Sequence, residues 1–208
     1  MRSKANYNSV AWFYDGLSRL VFGSSIKKAQ IELLHFIPEK ASILIVGGGT
    51  GWILEEIAKL YPSGLDITYI DSSSKMIGLS KKRNCAVNHV QFIEAGIENT
   101  SLKDKSFDII ITPFAADGFT QEAWQQVFTK LHASLKPNGI WLYADFRLND
   151  KSPVWQKLMI KLLYLFFKIT CGIQAKQIPS TDSCFSSYKL ISERMYFANF
   201  IVSAVLEK

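Results

Sequence analysis

Three glycines at alternate positions, Gly47, Gly49 and Gly51, follow directly on the apolar run Ile43-Leu44-Ile45-Val46. After them Trp52, Ile53, Ile57, Ala58 and Leu60 repeat at helical spacing, with Glu55, Glu56 and Lys59 on the other face. The order strand, tight turn, helix lets the backbone approach a nucleotide-like ligand, because glycine has no Cβ and tolerates positive φ. The dinucleotide fingerprint G-x-G-x-x-G needs its third glycine three residues after the second. Counted from Gly47 and Gly49 that place holds Trp52, so the G-x-G-x-G form, with Gly48 inside it, is the one satisfied. Twenty residues after Gly51, Asp71 ends the next apolar run. A carboxylate at that strand end can accept both ribose hydroxyls of an adenosine-like ligand; otherwise it caps the following helix.

Other chemistries find no support. His35, His89 and His132 are scattered, with no Ser/His/Asp or metal-ligand spacing, which disfavours a hydrolase or metalloenzyme. Cys85, Cys171 and Cys184 are far apart and odd in number, as expected of reduced thiols in the cytoplasm. The leader Met1 to Asn8 carries some positive charge but no apolar run after it, so no secretory signal is expected. The net charge of +6 is uneven: residues 41–150 hold 10 Lys/Arg against 12 Asp/Glu, and residues 151–208 hold 8 against 3. The basic excess therefore lies outside the nucleotide-like core.

The elements that must position these residues alternate regularly. Helices are expected over 25–36, 52–61, 72–84 (capped by Ser72 or Ser73) and 121–135. Strands are expected over 43–46, 66–70, 89–93, 107–112 and 140–144. Short apolar strands separated by helices predict an α/β three-layer sandwich on a mostly parallel sheet. The end departs from this rhythm. After a long apolar helix (153–171) and a polar loop (172–187), strands 191–197 and 200–207 meet at Ala198-Asn199, an antiparallel edge hairpin. At 208 residues one domain is expected, with a helical cap (1–40), a ligand-binding core (41–150) and a C-terminal section (151–208).

The glycine turn resembles motif I of the S-adenosylmethionine-dependent methyltransferases of the seven-stranded Rossmann-like superfamily. Phe92-Ile93-Glu94-Ala95-Gly96-Ile97-Glu98, then Phe107-Asp108, is similar to that family's F-x-x-G-D-A-E and F-D segments, with Gly96 where an Asp is expected. Lys136-Pro137-Asn138-Gly139 matches its L-K-P-G-G turn. The N-terminal segment Tyr7 to Asp15 resembles the Y-D leader of ubiquinone/menaquinone-biosynthesis-like small-molecule methyltransferases, which folds over the donor pocket. The resemblance implies S-adenosylmethionine as cofactor, yielding S-adenosylhomocysteine. It implies a cofactor set of Gly47, Gly48, Gly49, Gly51, Asp71, Ser72, Met76, Gly96, Ile97, Thr112 and Phe114. Ile97 packs on adenine in that reading, and Glu94 or Glu98 supplies the amino-group contact that Gly96 cannot. Tyr7, Tyr14 and Phe114 are the candidate acceptor-side residues.

Nucleic-acid amino-methyltransferases carry Asn/Asp/Ser-Pro-Pro-aromatic after the fourth strand. Thr112-Pro113-Phe114 departs from it, which disfavours a nucleic-acid substrate and leaves a small apolar or aromatic acceptor. No catalytic residue is read out: methyl transfer from an activated sulfonium relies mainly on positioning. A nicotinamide oxidoreductase and a non-catalytic cofactor-binding module are the alternatives. Along 153–171, Lys157, Lys161 and Lys168 fall within about 40° on a helical wheel. That stripe suits a core helix with a wet edge, a lid, or a segment resting on an anionic membrane surface.

Overall fold

The glycine turn lies at the carboxyl end of a central strand, β1 (Ser42–Val46), in a computed structural model that describes residues 7–208. The charged start of the leader, residues 1–6, lies outside the described residues. On one side of β1 are β2 (Asp66–Asp71) and β3 (His89–Glu94). On the other are β4 (Phe107–Pro113), β5 (Leu135–Phe146), β7 (Ile201–Glu207) and β6 (Lys189–Tyr196). The order is β3-β2-β1-β4-β5-β7-β6; β7 is antiparallel to both β5 and β6, and the other pairs are parallel.

Period-two alternation divides each central strand between two cores. Ile43, Ile45, Ile67, Tyr69, Ile109, Ile111 and Leu142 face one layer, while Leu44, Val46, Ile70, Ile110, Trp141 and Tyr143 face the other. Helix α3 (Trp52–Leu60) covers the first face with Ile53, Leu54 and Ile57. Helix α5 (Gln121–Ser134) covers the second with Trp124, Val127, Phe128 and Leu131, and the Thr120 hydroxyl caps it by accepting from the Ala123 N–H. A third apolar cluster joins α1 (Tyr14–Phe22) and α6 (Val154–Cys171) to the ends of β5 and β7 through Phe22, Phe146, Ile160, Tyr164, Phe200 and Ile201.

The structure shortens two expected helices. The 25–36 helix is α-helical only as α2 (Ser25–Ile31), then tightens to 3-10 geometry over Glu32–Phe36 before Pro38, the fixed-φ residue that no helix continues through. The 72–84 helix is α4 (Ser74–Ser80), because Ser73 is its cap: its hydroxyl accepts from the Met76 N–H. The Lys136-Pro137-Asn138-Gly139 turn is taken up as an irregularity inside β5, which pairs Leu135 with Phe107 and then resumes at Ile140 with Ile109. The terminal hairpin forms as expected. Ala198 and Asn199 both adopt positive φ, and the Phe200 N–H donates to the Phe197 carbonyl. Edge strand β6 is largely exposed and carries Lys189, Glu193 and Arg194, charges that discourage further strand pairing. No helix among the described residues is long and apolar enough to cross a membrane.

Candidate functional site

Strand order reverses between β1 and β4, and a cavity of about 920 Å³ opens at the carboxyl ends of the strands there, where open α/β sheets bind ligands. Gly47, Gly49 and Gly51 all sit in the left-handed region, at φ of 71°, 64° and 77°. Two of them are constrained differently. A Cβ on Gly51 would lie 2.6 Å from the Ser80 Cα, so this glycine allows α3 and α4 to approach; a Cβ on Gly49 meets no protein atom within 4 Å, and Gly49 lines the cavity. Gly51 faces the helix contact and is not part of the cavity wall.

Asp71 holds the turn in place. Its Oδ2 accepts the Gly49 N–H at 3.0 Å and its Oδ1 accepts the Ser73 N–H at 2.9 Å. The Tyr69 hydroxyl donates to the Gly49 carbonyl at 3.0 Å, so β2 grips both sides of one peptide. Burial raises the Asp71 carboxyl to about 6, against the two backbone bonds, leaving it ionised near neutrality at the wall of the cavity. Ser72, Met76, Gly96 and Ile97 line the same end. A Cβ on Gly96 would fall 2.6 Å from Oε2 of Glu98. The Glu98 carboxylate therefore occupies the place of the missing residue-96 side chain, and Glu98 lines the cavity while Glu94 does not. Lys130 fixes this loop by donating to the carbonyls of Ile97, Glu98 and Thr100.

The opposite end is aromatic and aliphatic. Tyr7 and Tyr14 line it and pack on Phe167 of α6, with centroids 5.8 and 6.3 Å apart. Phe114 lines it too, at φ 55°, a conformation costly for a side chain of this size and typical of positions held for a ligand. Its N–H donates to the Ala144 carbonyl at 2.7 Å and its ring meets Phe146 at 5.1 Å. Thr112 stands apart: it is fully buried outside the cavity wall, its hydroxyl accepting from the Trp141 Nε1–H at 2.9 Å.

Sequence reasoning missed an acidic pair here. Asp145, fully buried at the end of β5, accepts the N–H groups of Ala116 and Asp117 on Oδ2 and of Phe146 on Oδ1. This clamps the loop after β4 and brings Asp117 to the cavity wall, where the Tyr164 hydroxyl donates to its carbonyl at 3.1 Å. Burial pushes both carboxyls well above the usual carboxylate range, and for Asp145 the neighbouring Asp117 charge adds to it. Burial, with the Asp117 charge next in weight, raises the Tyr7, Tyr14 and Tyr164 phenols, so they stay neutral. The only signal in the chain was an Asp-Gly step just after a strand end, which reads as an ordinary turn.

The leader packs against the turn and the start of α4. Asn8 Oδ1 accepts from the Ser73 hydroxyl (2.6 Å) and the Lys75 N–H (3.1 Å), and Asp15 accepts from the Thr50 hydroxyl.

Residues 43–139 match the family described as "Methyltransferase domain". Over 193 residues the chain is 28% identical to the ubiquinone/menaquinone biosynthesis C-methyltransferase UbiE of Geotalea daltonii, covering 90% of this chain and 77% of the relative. It is 26% identical over 152 residues to the malonyl-[acyl-carrier protein] O-methyltransferase of Halalkalibacterium halodurans, covering 68% of this chain and 53% of the relative. The chain thus spans about half the length of some curated relatives it matches. Among solved structures it superposes on a SAM-dependent methyltransferase from Aquifex aeolicus with a TM-score of 0.63 at 16% identity, covering 96% of this chain and 97% of the other. It superposes equally (0.63, 13% identity, 96% and 84% covered) on the Burkholderia thailandensis 1,6-didemethyltoxoflavin-N1-methyltransferase, solved with S-adenosylhomocysteine. These relatives do not favour the nicotinamide alternative. With its ordered motifs, its sheet order and the cavity at the switch point, the chain is similar to the S-adenosylmethionine-dependent methyltransferases, with residues 43–139 matching a methyltransferase domain.

Proposed function

We propose that this protein transfers a methyl group from S-adenosylmethionine to a small apolar or aromatic acceptor. One observation carries the reading: a single cavity joins a polar, glycine-floored end at Asp71 to an aromatic end at Tyr14, Phe114 and Phe167. The open space beside Gly49 and the ionised carboxylate of Asp71 suit an adenosyl amino acid, with Met76 and Ile97 beside the base and Glu98 taking the amino group that Gly96 leaves unmet. When bound, this cofactor supplies an electrophilic methyl on a sulfonium. The chain's own residues hold both reactants, exclude water and receive a proton.

Asp117 is the group suited to the last role. It lies on the cavity wall near three neutral phenols, and burial raises its carboxyl toward neutrality, where it can take a proton from a weakly acidic acceptor. Asp145 acts through the loop, as a positioning residue. Three unpaired cysteines agree with a cytoplasmic setting. A nucleic-acid substrate has no support in the aromatic and aliphatic character of the acceptor end.

Calorimetry with S-adenosylhomocysteine tests the donor half, and transfer of a labelled methyl group to a panel of quinols and phenols tests the acceptor half. Failure of the wild type to bind S-adenosylhomocysteine sinks the reading. Binding without transfer to any acceptor favours the non-catalytic module.

A further inference from the structure

Helix α6 is apolar on two opposite faces, and only one is covered. Its inner face, with Ile160 and Tyr164 buried and Leu163 and Phe167 partly so, packs on the third core cluster and walls the aromatic end of the cavity. On the outer face Val154, Leu158, Leu162, Leu165 and Ile169 are 81%, 55%, 57%, 54% and 76% exposed. At about 100° per residue these five fall within about 80° of arc, an unbroken stripe along the whole helix. Monomeric soluble proteins seldom leave such a stripe bare.

The charges on the helix itself are of one sign. Lys157, Lys161 and Lys168 are exposed and border one edge of the stripe. None is in an ion pair among the described residues, and Lys157 donates only to the Asp150 carbonyl. The helix contains no Asp or Glu, and residues 151–208 hold the chain's main basic excess. A long aliphatic face edged by lysines, on a helix that does not span a bilayer, matches an interfacial helix lying in the plane of an anionic membrane.

We propose that the outer face of α6 docks this protein on an anionic lipid surface. The leucines enter the headgroup boundary and the lysines meet lipid phosphates. Because the inner face of the same helix walls the acceptor end, docking places that end next to the phase where an apolar acceptor collects. This delivery step rests on the methyl-transfer reading, whereas the docking does not.

Vesicle co-sedimentation tests it, with phosphatidylcholine alone and with phosphatidylglycerol added. The wild type is expected to bind the anionic vesicles and to be released by salt. The triple variant Leu158→Gln/Leu162→Gln/Leu165→Gln should bind roughly a hundredfold more weakly. Replacing Lys157, Lys161 and Lys168 by Gln should weaken binding about fivefold per lysine and remove the preference for the anionic lipid. None of the six lines the cavity, so S-adenosylhomocysteine affinity, read in a separate arm, should be unchanged and serves as the folding control. Wild type that ignores anionic vesicles overturns the proposal, as does a leucine variant that binds like wild type. So does a wild-type dimer that the leucine variant makes monomeric, because a second copy then covers the face. Loss of S-adenosylhomocysteine binding by the wild type would count against the methyl-transfer reading alone.

Discussion

Asp15 on α1 accepts a hydrogen bond from the Thr50 hydroxyl, within 2.9 Å of both carboxylate oxygens, across 35 positions of sequence. Thr50 is buried in the glycine turn, and Arg83 reinforces the link by donating from Nε to the Thr50 carbonyl and approaching Asp15 at 3.5 Å. One contact thus ties the N-terminal segment to the glycine turn. Thr50→Val keeps the volume and removes the donor. It should lower S-adenosylhomocysteine affinity several-fold and expose the 7–22 segment to proteolysis, while cutting stability by only about 1 kcal/mol, because Asp15 is partly solvated.

Gly49→Ala and Gly51→Ala should separate binding from folding. At Gly49 the added methyl meets no protein atom, so the variant bears only the left-handed backbone penalty of about 1–2 kcal/mol and stays folded. It should nonetheless lose most S-adenosylhomocysteine binding. At Gly51 the methyl runs into the Ser80 backbone in addition to the strain, and the melting temperature should fall far more. Equal melting temperatures for the two would contradict the geometry.

Glu98 is expected to replace the absent residue-96 acid. Glu98→Ala should weaken S-adenosylhomocysteine about tenfold, as for loss of a charge-assisted hydrogen bond. The sharper check is S-inosylhomocysteine, which lacks the amino group. The wild type should discriminate against it, and the variant should bind both compounds alike.

Asp71 predicts a pH dependence. Its folded-state carboxyl is raised from 3.8 to about 6, so the native state holds the proton longer than the unfolded chain does. The contribution of this group to ligand-free stability therefore falls as pH rises between those values and is level above them. Ribose hydroxyls need the ionised form, so affinity should move the other way. Calorimetry should find it rising with pH by up to about tenfold per unit below about 6 and flat beyond, with the slope absent in Asp71→Asn.

Asp117→Asn should leave S-adenosylhomocysteine affinity almost unchanged while abolishing transfer to a weakly acidic acceptor. In the wild type the acidic limb of the transfer rate should lie above the ordinary carboxylate range, because burial raises that carboxyl. A limb at ordinary carboxylate pH, or a fully active variant, would remove Asp117 from the role of base.

What the sequence determined by itself is local and periodic. Glycines at alternate positions after a β-branched run can only be a tight turn, and Trp52 at the third fingerprint position excluded close dinucleotide packing. Apolar runs at period two, and repeats at helical spacing, set the α/β alternation and the terminal hairpin, because each element must bury its own apolar face. Tertiary structure decided what depends on chain segments meeting. Asp117 was not singled out in the sequence; the buried Asp145, 28 positions away, accepts its N–H and brings it to the cavity wall. Thr112 seemed a site residue until Trp141 claimed its hydroxyl. Glu98 came to the cavity wall beside Gly96 only when its side chain folded back over that residue. The outer face of α6 is as greasy in the sequence as the inner one; only the packing of the other elements determined which was covered and which was left exposed.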